Sequence, residues 1–225
     1  MDTMFDTLLQ LPLFQGLAHE DFTNILAKVK LHFTKHKAGS VLATAEDDCT
    51  QLIFILKGEV AMQTTERHGT YSLIEYLQAP ALLEPQSMFG MHTRHASTYT
   101  VASDEVHAVS ISKDFVLKEL WQYDIFRLNF TNIISNRAQS LKARLWMPVP
   151  DDTEGRIVHF ICQRCEQSNG KKALKIKMEE LARITNDTRL SISKALNKMQ
   201  QDGWIELHRG EIVIPELKLL TENCL

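Results

Sequence analysis

Apolar residues recur at helical spacing at the start of the chain. Leu8, Leu9, Leu11, Phe14 and Leu17 come first, and Phe22, Ile25, Leu26 and Val29 follow the acidic pair Glu20-Asp21. This period predicts helix. From about Phe33 the period shortens. Gly39-Ser40-Val41-Leu42, Leu52 to Leu56, Glu59-Val60-Ala61-Met62, Ser72 to Leu77, Tyr99 to Val101 and Val106 to Ile111 are short runs. They are separated by the turn formers Lys37-Ala38-Gly39, Asp47-Asp48, Lys57-Gly58 and His68-Gly69. Short strands with turns at this spacing predict a β-sandwich or roll. Val41 to Met62 alone holds two strands around Lys57-Gly58.

From Lys113 the helical period returns. The stretch from Asp124 to Trp146 contains no Gly or Pro, and Phe126, Phe130, Ile133, Ile134, Leu141 and Leu145 form a stripe with a near-seven-residue repeat. A stripe this long packs on a domain or on a partner helix. Its place between two domains favours a dimer helix over residues 123–147; packing confined to one chain is the alternative. Met147-Pro148-Val149-Pro150-Asp151-Asp152 is a linker, since two prolines stop a helix and Asp152 or Thr153 can cap the next. The expected division is 1–122, 123–147 and 151–225.

In the last part, Lys177 to Gln201 reads as two helices. Met178, Leu181, Ala182 and Ile184 give the first an apolar side, and Thr185-Asn186-Asp187 breaks it, Asn tolerating a left-handed backbone. Thr188 can cap the second helix, in which Ile192, Ala195, Leu196 and Met199 face one way and Gly203 terminates. This is a helix-turn-helix pattern. The far face of the second helix is then Leu190, Ser193, Lys194, Asn197 and Gln201, with Arg189 at its N-terminal end. Arg and Lys donate to guanine, Asn and Gln read adenine, and an exposed Leu meets a thymine methyl. Trp204 to Leu207 and Ile212 to Ile214 alternate around His208-Arg209-Gly210-Glu211, which predicts a hairpin, or wing, with Arg209 near phosphate. The expected DNA contacts are Thr188, Arg189, Leu190, Ser191, Ser193, Lys194, Asn197, Lys198 and Arg209.

Composition sharpens this picture. Hydrophobic residues make up 44% and charged residues 24% of the 225 residues, a globular balance. The longest apolar run, Leu52 to Leu56, is far short of the roughly 20 residues that span a membrane. The start, Met1 to Asp6, has two acids and no base, unlike a secretory signal. Four cysteines do not make a disulfide scaffold, so a cytoplasmic location is expected. A net charge of −3 argues against a generic nucleic-acid coat, but residues 171–198 hold eight Lys/Arg against three Asp/Glu, a local surplus suited to phosphate.

From Leu11-Pro12-Leu13-Phe14-Gln15-Gly16-Leu17, through Ala38-Gly39-Ser40-Val41-Leu42, Ile53-Phe54-Ile55-Leu56-Lys57-Gly58-Glu59-Val60 and Phe89-Gly90, to the wing, the chain resembles the Crp/Fnr family of bacterial transcription regulators. The resemblance implies an α+β chain: an N-terminal β-roll (double-stranded jelly-roll) sensor of the cyclic-nucleotide-binding type, a long dimerisation helix and a C-terminal winged helix-turn-helix. It also implies a homodimer on a pseudo-palindromic operator, with RNA polymerase as a further partner.

The departures carry information. Cyclic-nucleotide-binding members follow Phe-Gly with a Glu that holds the ribose hydroxyl, and further on carry Arg-Ser/Thr-Ala for the cyclic phosphate. Here Met91 follows Phe89-Gly90, and the phosphate motif falls on Ala96-Ser97-Thr98 without Arg or on Arg94-His95-Ala96 with it. One missing polar partner costs much affinity for a hydroxyl-bearing ligand, so cyclic AMP is not the expected effector. The candidate effector pocket is Phe89, Gly90, Met91, His92, Arg94, His95, Ser97 and Thr98, with the effector unidentified. His92-Thr93-Arg94-His95 offers metal, haem or anion chemistry in principle but reads first as loop histidines. Cys49 is the only cysteine ahead of Cys162, so an N-terminal iron–sulfur sensor is excluded, and Cys162-Gln163-Arg164-Cys165 reads as ordinary helix. In the second helix Leu190 stands for a family Glu and Lys194 for an Arg, which implies a different operator. No catalytic, metal or cofactor motif is present and no enzyme is expected. The alternative function is a cyclic-nucleotide-binding module acting on a protein partner.

Overall fold

The computed structural model describes residues 9, 11–28 and 31–224. Leu8 and Val29 of the first apolar series, and the side chain of Leu26, lie outside the described residues. The chain packs as two compact units, residues 1–61 with 77–139, and residues 62–76 with 140–225.

The first unit opens with helix α1 (His19–Lys28), which has Glu20 and Asp21 in its first turn and Lys28 in its last, the charge order that a helix dipole favours. Strands β1 (His32–Lys37), β2 (Val41–Ala43), β3 (Gln51–Lys57), β4 (Glu59–Thr65), β5 (Tyr71–Gln78), β6 (Ala81–Leu83), β7 (Thr98–Val101) and β8 (Glu105–Ser112) come next along the chain, β4 from Met62 onward and β5 up to Tyr76 belonging to the second unit. One antiparallel sheet runs β1-β8-β3-β6, and β2 pairs with β7. β3 lies between β8 and β6 and buries Leu52 to Ile55 consecutively. Burial on both faces explains why its sequence is an unbroken apolar run rather than an alternation. β1 is an edge strand with mostly polar residues, His-Phe-Thr-Lys-His-Lys, which is why hydrophobic pattern does not reveal it.

The N-terminal Leu-Pro-Leu-Phe segment completes this core. Leu11, Leu13 and Phe14 are buried with Phe22, Phe54, Val116 and Phe126. The Phe14 ring lies 5.6 Å from Phe22, 5.7 Å from Phe54 and 6.0 Å from Phe126. Helix α2 (Lys113–Lys118) begins where the Phe115 N–H donates to Ser112 Oγ, and helix α3 (Asp124–Leu145) follows. The sequence expects one dimer stripe along α3, but the stripe divides. Phe126 and Phe130 are buried within their own unit, Ile133 and Ile134 pack partly against the same core, and Leu141 and Leu145 are exposed. Aromatic rings near the helix start have an intramolecular cavity to fill; the periodicity cannot distinguish that from a partner.

The second unit contains helix α4 (Thr153–Arg164), strand β9 (Lys172–Ile176), helices α5 (Met178–Ile184) and α6 (Arg189–Gln201), strands β10 (Glu206–His208) and β11 (Glu211–Ile214), and helix α7 (Leu217–Cys224). Asp152 caps α4 by accepting from the Gly155 N–H at 2.8 Å. A Cβ on Gly155 would lie 2.6 Å from Pro150 Cβ, so the proline turn and the cap both require glycine there. Ile157, Val158, Ile161, Leu174, Leu181, Ile192, Leu196, Met199, Ile205, Ile214 and Leu220 form its core.

Residues 62–76, expected in the N-terminal domain, pack in this second unit. β5 pairs antiparallel with β9 from Tyr71↔Ile176 to Glu75↔Lys172, so the sheet order here is β10-β11-β9-β5. Leu73 enters the core, Tyr71 packs edge-on at 5.3 Å against Phe160, and the Tyr71 hydroxyl accepts from Arg164 Nε at 2.7 Å. Glu75 and Lys172 form a buried ion pair at 3.2 Å. The Glu75 carboxylate also accepts from the N–H groups of Glu166 and Gln167, and Lys172 Nζ donates to the Asn169 carbonyl. Lys172 therefore neutralises Glu75 instead of contributing to the surface surplus of residues 171–198.

Candidate nucleic-acid interface

The turn between α5 and α6 is built by local hydrogen bonds. Thr185 is buried and its hydroxyl donates to the Leu181 carbonyl at 2.8 Å. Asn186 adopts φ +52°, the left-handed conformation its residue type tolerates. Asp187 then points inward. Its carboxylate accepts from Thr153 Oγ1 at 2.6 Å, from the Thr188 N–H at 2.8 Å and from the Arg156 guanidinium. The Thr153 hydroxyl, then the Thr188 amide, then Arg156 hold this carboxyl well below the usual carboxylate range. The turn is thereby pinned to α4.

Thr188 caps α6, its Oγ1 accepting from the Ser191 N–H at 3.0 Å. Ile192, Ala195, Leu196 and Met199 are buried; Arg189, Leu190, Lys194, Asn197, Lys198 and Gln201 are exposed, while Ser191 and Ser193 are half-buried. Leu190 is 65% exposed, a position an apolar residue holds against no core. α6 ends at Gly203, φ +76°, whose N–H donates to the Gln200 carbonyl while that of Trp204 reaches Met199, the closure of a glycine-terminated helix. β10 and β11 form the wing, with Gly210 at φ +77° in its turn and Arg209 exposed beside it. The Ile176 N–H donates to the Gly210 carbonyl, fastening that turn to β9.

Two carboxylates missed by sequence reasoning engage the basic residues. Glu179, at the start of α5, lies 3.2 Å from Arg189. Glu154, at the start of α4, accepts from Lys198 Nζ at 2.9 and 3.0 Å. Asn197 Nδ2 donates to the Ser193 carbonyl. Sequence spacing carries no signal for the long-range Glu154–Lys198 pair.

The expected effector region belongs to the first unit. Phe89 turns inward, its ring 5.5 Å from both Trp121 and Phe130, with Lys113 Nζ 5.3 Å from its face. Gly90 has φ +98°, and Met91 is 97% exposed. His92 is exposed whereas His95 is buried, and among the described residues no His/Cys/Asp/Glu group is arranged to hold a metal. Arg94 is exposed and lies 3.7 Å from Asp48. Thr98 Oγ1 accepts from the Ala45 N–H, and Ser97 is buried. What the sequence did not reveal is Glu84, which is buried and accepts hydrogen bonds from Ser87, Ala96 and Tyr99, with His95 beside it. It stands between Leu83 and Pro85 with no motif around it. Burial pushes the thiol of Cys162 up to about 11 and that of Cys165 higher, the direction of an unreactive cysteine.

Comparison with known proteins accords with this geometry. The cyclic nucleotide-binding domain family matches residues 33–123, and the Crp-like helix-turn-helix domain family matches residues 155–222. The cyclic AMP receptor protein of Thermus thermophilus is 21% identical over 211 residues, covering 94% of this chain and 95% of that protein. The cAMP-activated global transcriptional regulator CRP of Haemophilus influenzae is 23% identical over 190 residues, covering 81% and 84%. Among solved structures, a putative Crp/Fnr-family transcriptional regulator from Eubacterium rectale superposes with a TM-score of 0.53 at 17% identity, over 94% of this chain and 96% of that one. The catabolite activator protein of Thermus thermophilus gives a TM-score of 0.50 at 17% identity, over 94% and 97%. A β-roll followed by a winged helix-turn-helix defines a two-domain class of DNA-binding protein. The chain belongs to the Crp/Fnr family: it is a transcription regulator with a helix-turn-helix DNA-binding domain.

Proposed function

We propose that the protein acts as a homodimer that reads a pseudo-palindromic operator, one copy of α6 entering the major groove at each half-site. The observation that carries this reading is α6 itself, capped by Thr188, buried along Ile192, Ala195, Leu196 and Met199, and exposing Arg189, Leu190, Lys194 and Asn197. Arg189 and Lys194 suit guanine, Asn197 suits adenine and Leu190 suits a thymine methyl. Thr188, Ser191 and Ser193 supply hydroxyls near the groove, Lys198 reaches phosphate once released from Glu154, and Arg209 reaches phosphate from the wing. Half-sites one helical turn apart, about 34 Å, require two copies related by a two-fold axis. The exposed C-terminal part of α3, with Leu141 and Leu145, is the surface for that partner.

The protein works in the cytoplasm with RNA polymerase as partner, and it performs no catalysis. Among the described residues no helix is long and apolar enough to cross a membrane. Several relatives are cyclic AMP receptors, but the exposed Met91 and the Arg94–Asp48 pair argue for a different effector here. A titration at fixed salt with operator and random duplexes tests the reading. Operator binding at least about 10³-fold tighter is expected; equal affinity for both refutes it.

A further inference from the structure

Cys162 and Cys165 form part of the wall of a cavity of about 440 Å³ in the second unit, within the size range of small-molecule sites. Ser140, Ala143 and Arg144 of α3, with Met147 just beyond it, supply another wall, and Leu217 of α7 a third. This face of α3 is not the one that carries Leu141 and Leu145, because positions three, four and seven apart share a side of a helix and adjacent positions do not. The lining is predominantly apolar. Burial raises both thiols, so they stay neutral and line the cavity as small hydrophobes. One side of the cavity is preformed. The N–H groups of Glu166 and Gln167, which line it, donate to the buried Glu75 carboxylate at 2.7 and 3.1 Å.

Arg144 is the exception to the apolar lining. It is half-buried, and among the described residues no carboxylate lies within ion-pair distance of it. Its one side-chain hydrogen bond, from Nε to the Ser140 carbonyl at 3.4 Å, stays within α3. Its charge opposes the rise that burial causes at both thiols, so the guanidinium stands on their side of the cavity. A cation partly withdrawn from water attracts an anion more strongly than a fully solvated one does, and a guanidinium matches the two oxygens of a carboxylate. The exposed Glu166 in the same lining opposes a second negative charge. We infer that this cavity binds a small monocarboxylic acid with an apolar body, its carboxylate on Arg144 and its body against Ala143, Met147, Leu217 and the two thiols. Such a ligand joins α3, α4 and α7 within the unit that holds the helix-turn-helix, independently of the β-roll.

Equilibrium dialysis of the full chain at constant ionic strength tests this with octanoate and its uncharged counterpart octanamide. The wild type is expected to bind one octanoate per chain saturably and octanamide at least about tenfold more weakly, the ratio that a hydrogen bond to a charged group supplies. Arg144→Gln is expected to bring octanoate down to the level of octanamide. Ala143→Trp fills the cavity from an exposed position and is expected to abolish binding of both. Inorganic phosphate, which has no apolar body, is expected not to displace octanoate. Absence of saturable octanoate binding, or equal binding of octanoate and octanamide to the wild type, overturns the inference. So does an acid preference that survives in Arg144→Gln, octanoate binding unchanged in Ala143→Trp, or displacement by phosphate. The two wild-type comparisons stand even where a variant does not fold. None of these readouts involves DNA, so their failure and that of the operator reading are distinguishable.

Discussion

At the scale of single residues, the reader helix is defined as much by the acids that restrain it as by the bases that would touch DNA. Arg189 and Glu179 are both largely exposed, so their pair contributes little to stability. Its consequence lies in binding, since DNA must replace Glu179. Arg189→Ala is expected to cost about 1–3 kcal/mol of operator affinity and to relax preference at one base position. Glu179→Gln is expected to do the reverse in affinity, tightening operator and random duplexes alike; competition titrations measure both. Lys198→Ala is expected to lower the salt slope by about one unit without altering base preference. Asp187 behaves differently, because its partners sit in the fold. Its folded carboxyl is held below the usual range, so the stability it contributes is complete above about pH 4, the unfolded value. That contribution falls away as pH drops towards the depressed folded value. Asp187→Ala is expected to cost about 1–3 kcal/mol at neutral pH. Denaturant unfolding at pH 7 and pH 5 should give the same difference from wild type, shrinking only in stronger acid. Asp187 is legible in the sequence as a turn residue, but its partners Thr153 and Arg156 are not, since they are 34 and 31 positions away.

At the scale of elements, the reading from hydrophobic pattern succeeds where burial is one-sided or complete, and fails at edges. β3, β8, α6 and the wing stand out because their apolar residues follow the burial. β1 is polar, and β9 has the sequence Lys-Ala-Leu-Lys-Ile, which reads as basic surface. β9 becomes interior because β5 covers one of its edges and β11 the other. That covering depends on charge chemistry that a hydropathy pattern cannot register. Lys172 and Glu75 neutralise each other at full burial, and removing one member leaves the other uncompensated, a loss of about 3–5 kcal/mol. The two losses are not symmetrical. Lys172→Met leaves Glu75 with the N–H groups of Glu166 and Gln167, whereas Glu75→Ala orphans both amides and leaves the ammonium a neutral carbonyl, that of Asn169, in place of its counter-charge. Glu75→Ala is therefore expected to be the more destabilising, and the double variant to lie closer to Glu75→Ala than to the sum. Urea unfolding of the full chain in a double-mutant cycle measures this.

At the scale of the whole molecule, the net charge of −3 conceals a reader element with a local basic surplus, and the proposed assembly would hold two copies of it. The stripe on α3 gave a dimer helix as its natural reading. Phe126 and Phe130 turn out to be committed to their own core, which leaves Leu141 and Leu145 as the exposed remainder. A proposed dimer interface resting on that remainder makes a geometric prediction. Two recognition helices on one two-fold axis meet DNA on one face only when the half-sites are about 10–10.5 base pairs apart, centre to centre, or a multiple of that. Inserting five base pairs between half-sites turns one of them to the opposite side of the duplex. Wild-type affinity is then expected to collapse towards that for a single half-site, and inserting ten should restore alignment. Leu141→Asp with Leu145→Asp places charge on the exposed surface without touching a buried side chain. This variant is expected to sediment as a monomer and keep its fold by circular dichroism. It is also expected to lose the spacing dependence, because each reader then binds its half-site alone. If the variant remains a dimer, the partner surface lies elsewhere on the chain. If it is monomeric yet still sensitive to spacing, the two half-sites communicate through the DNA itself rather than through α3.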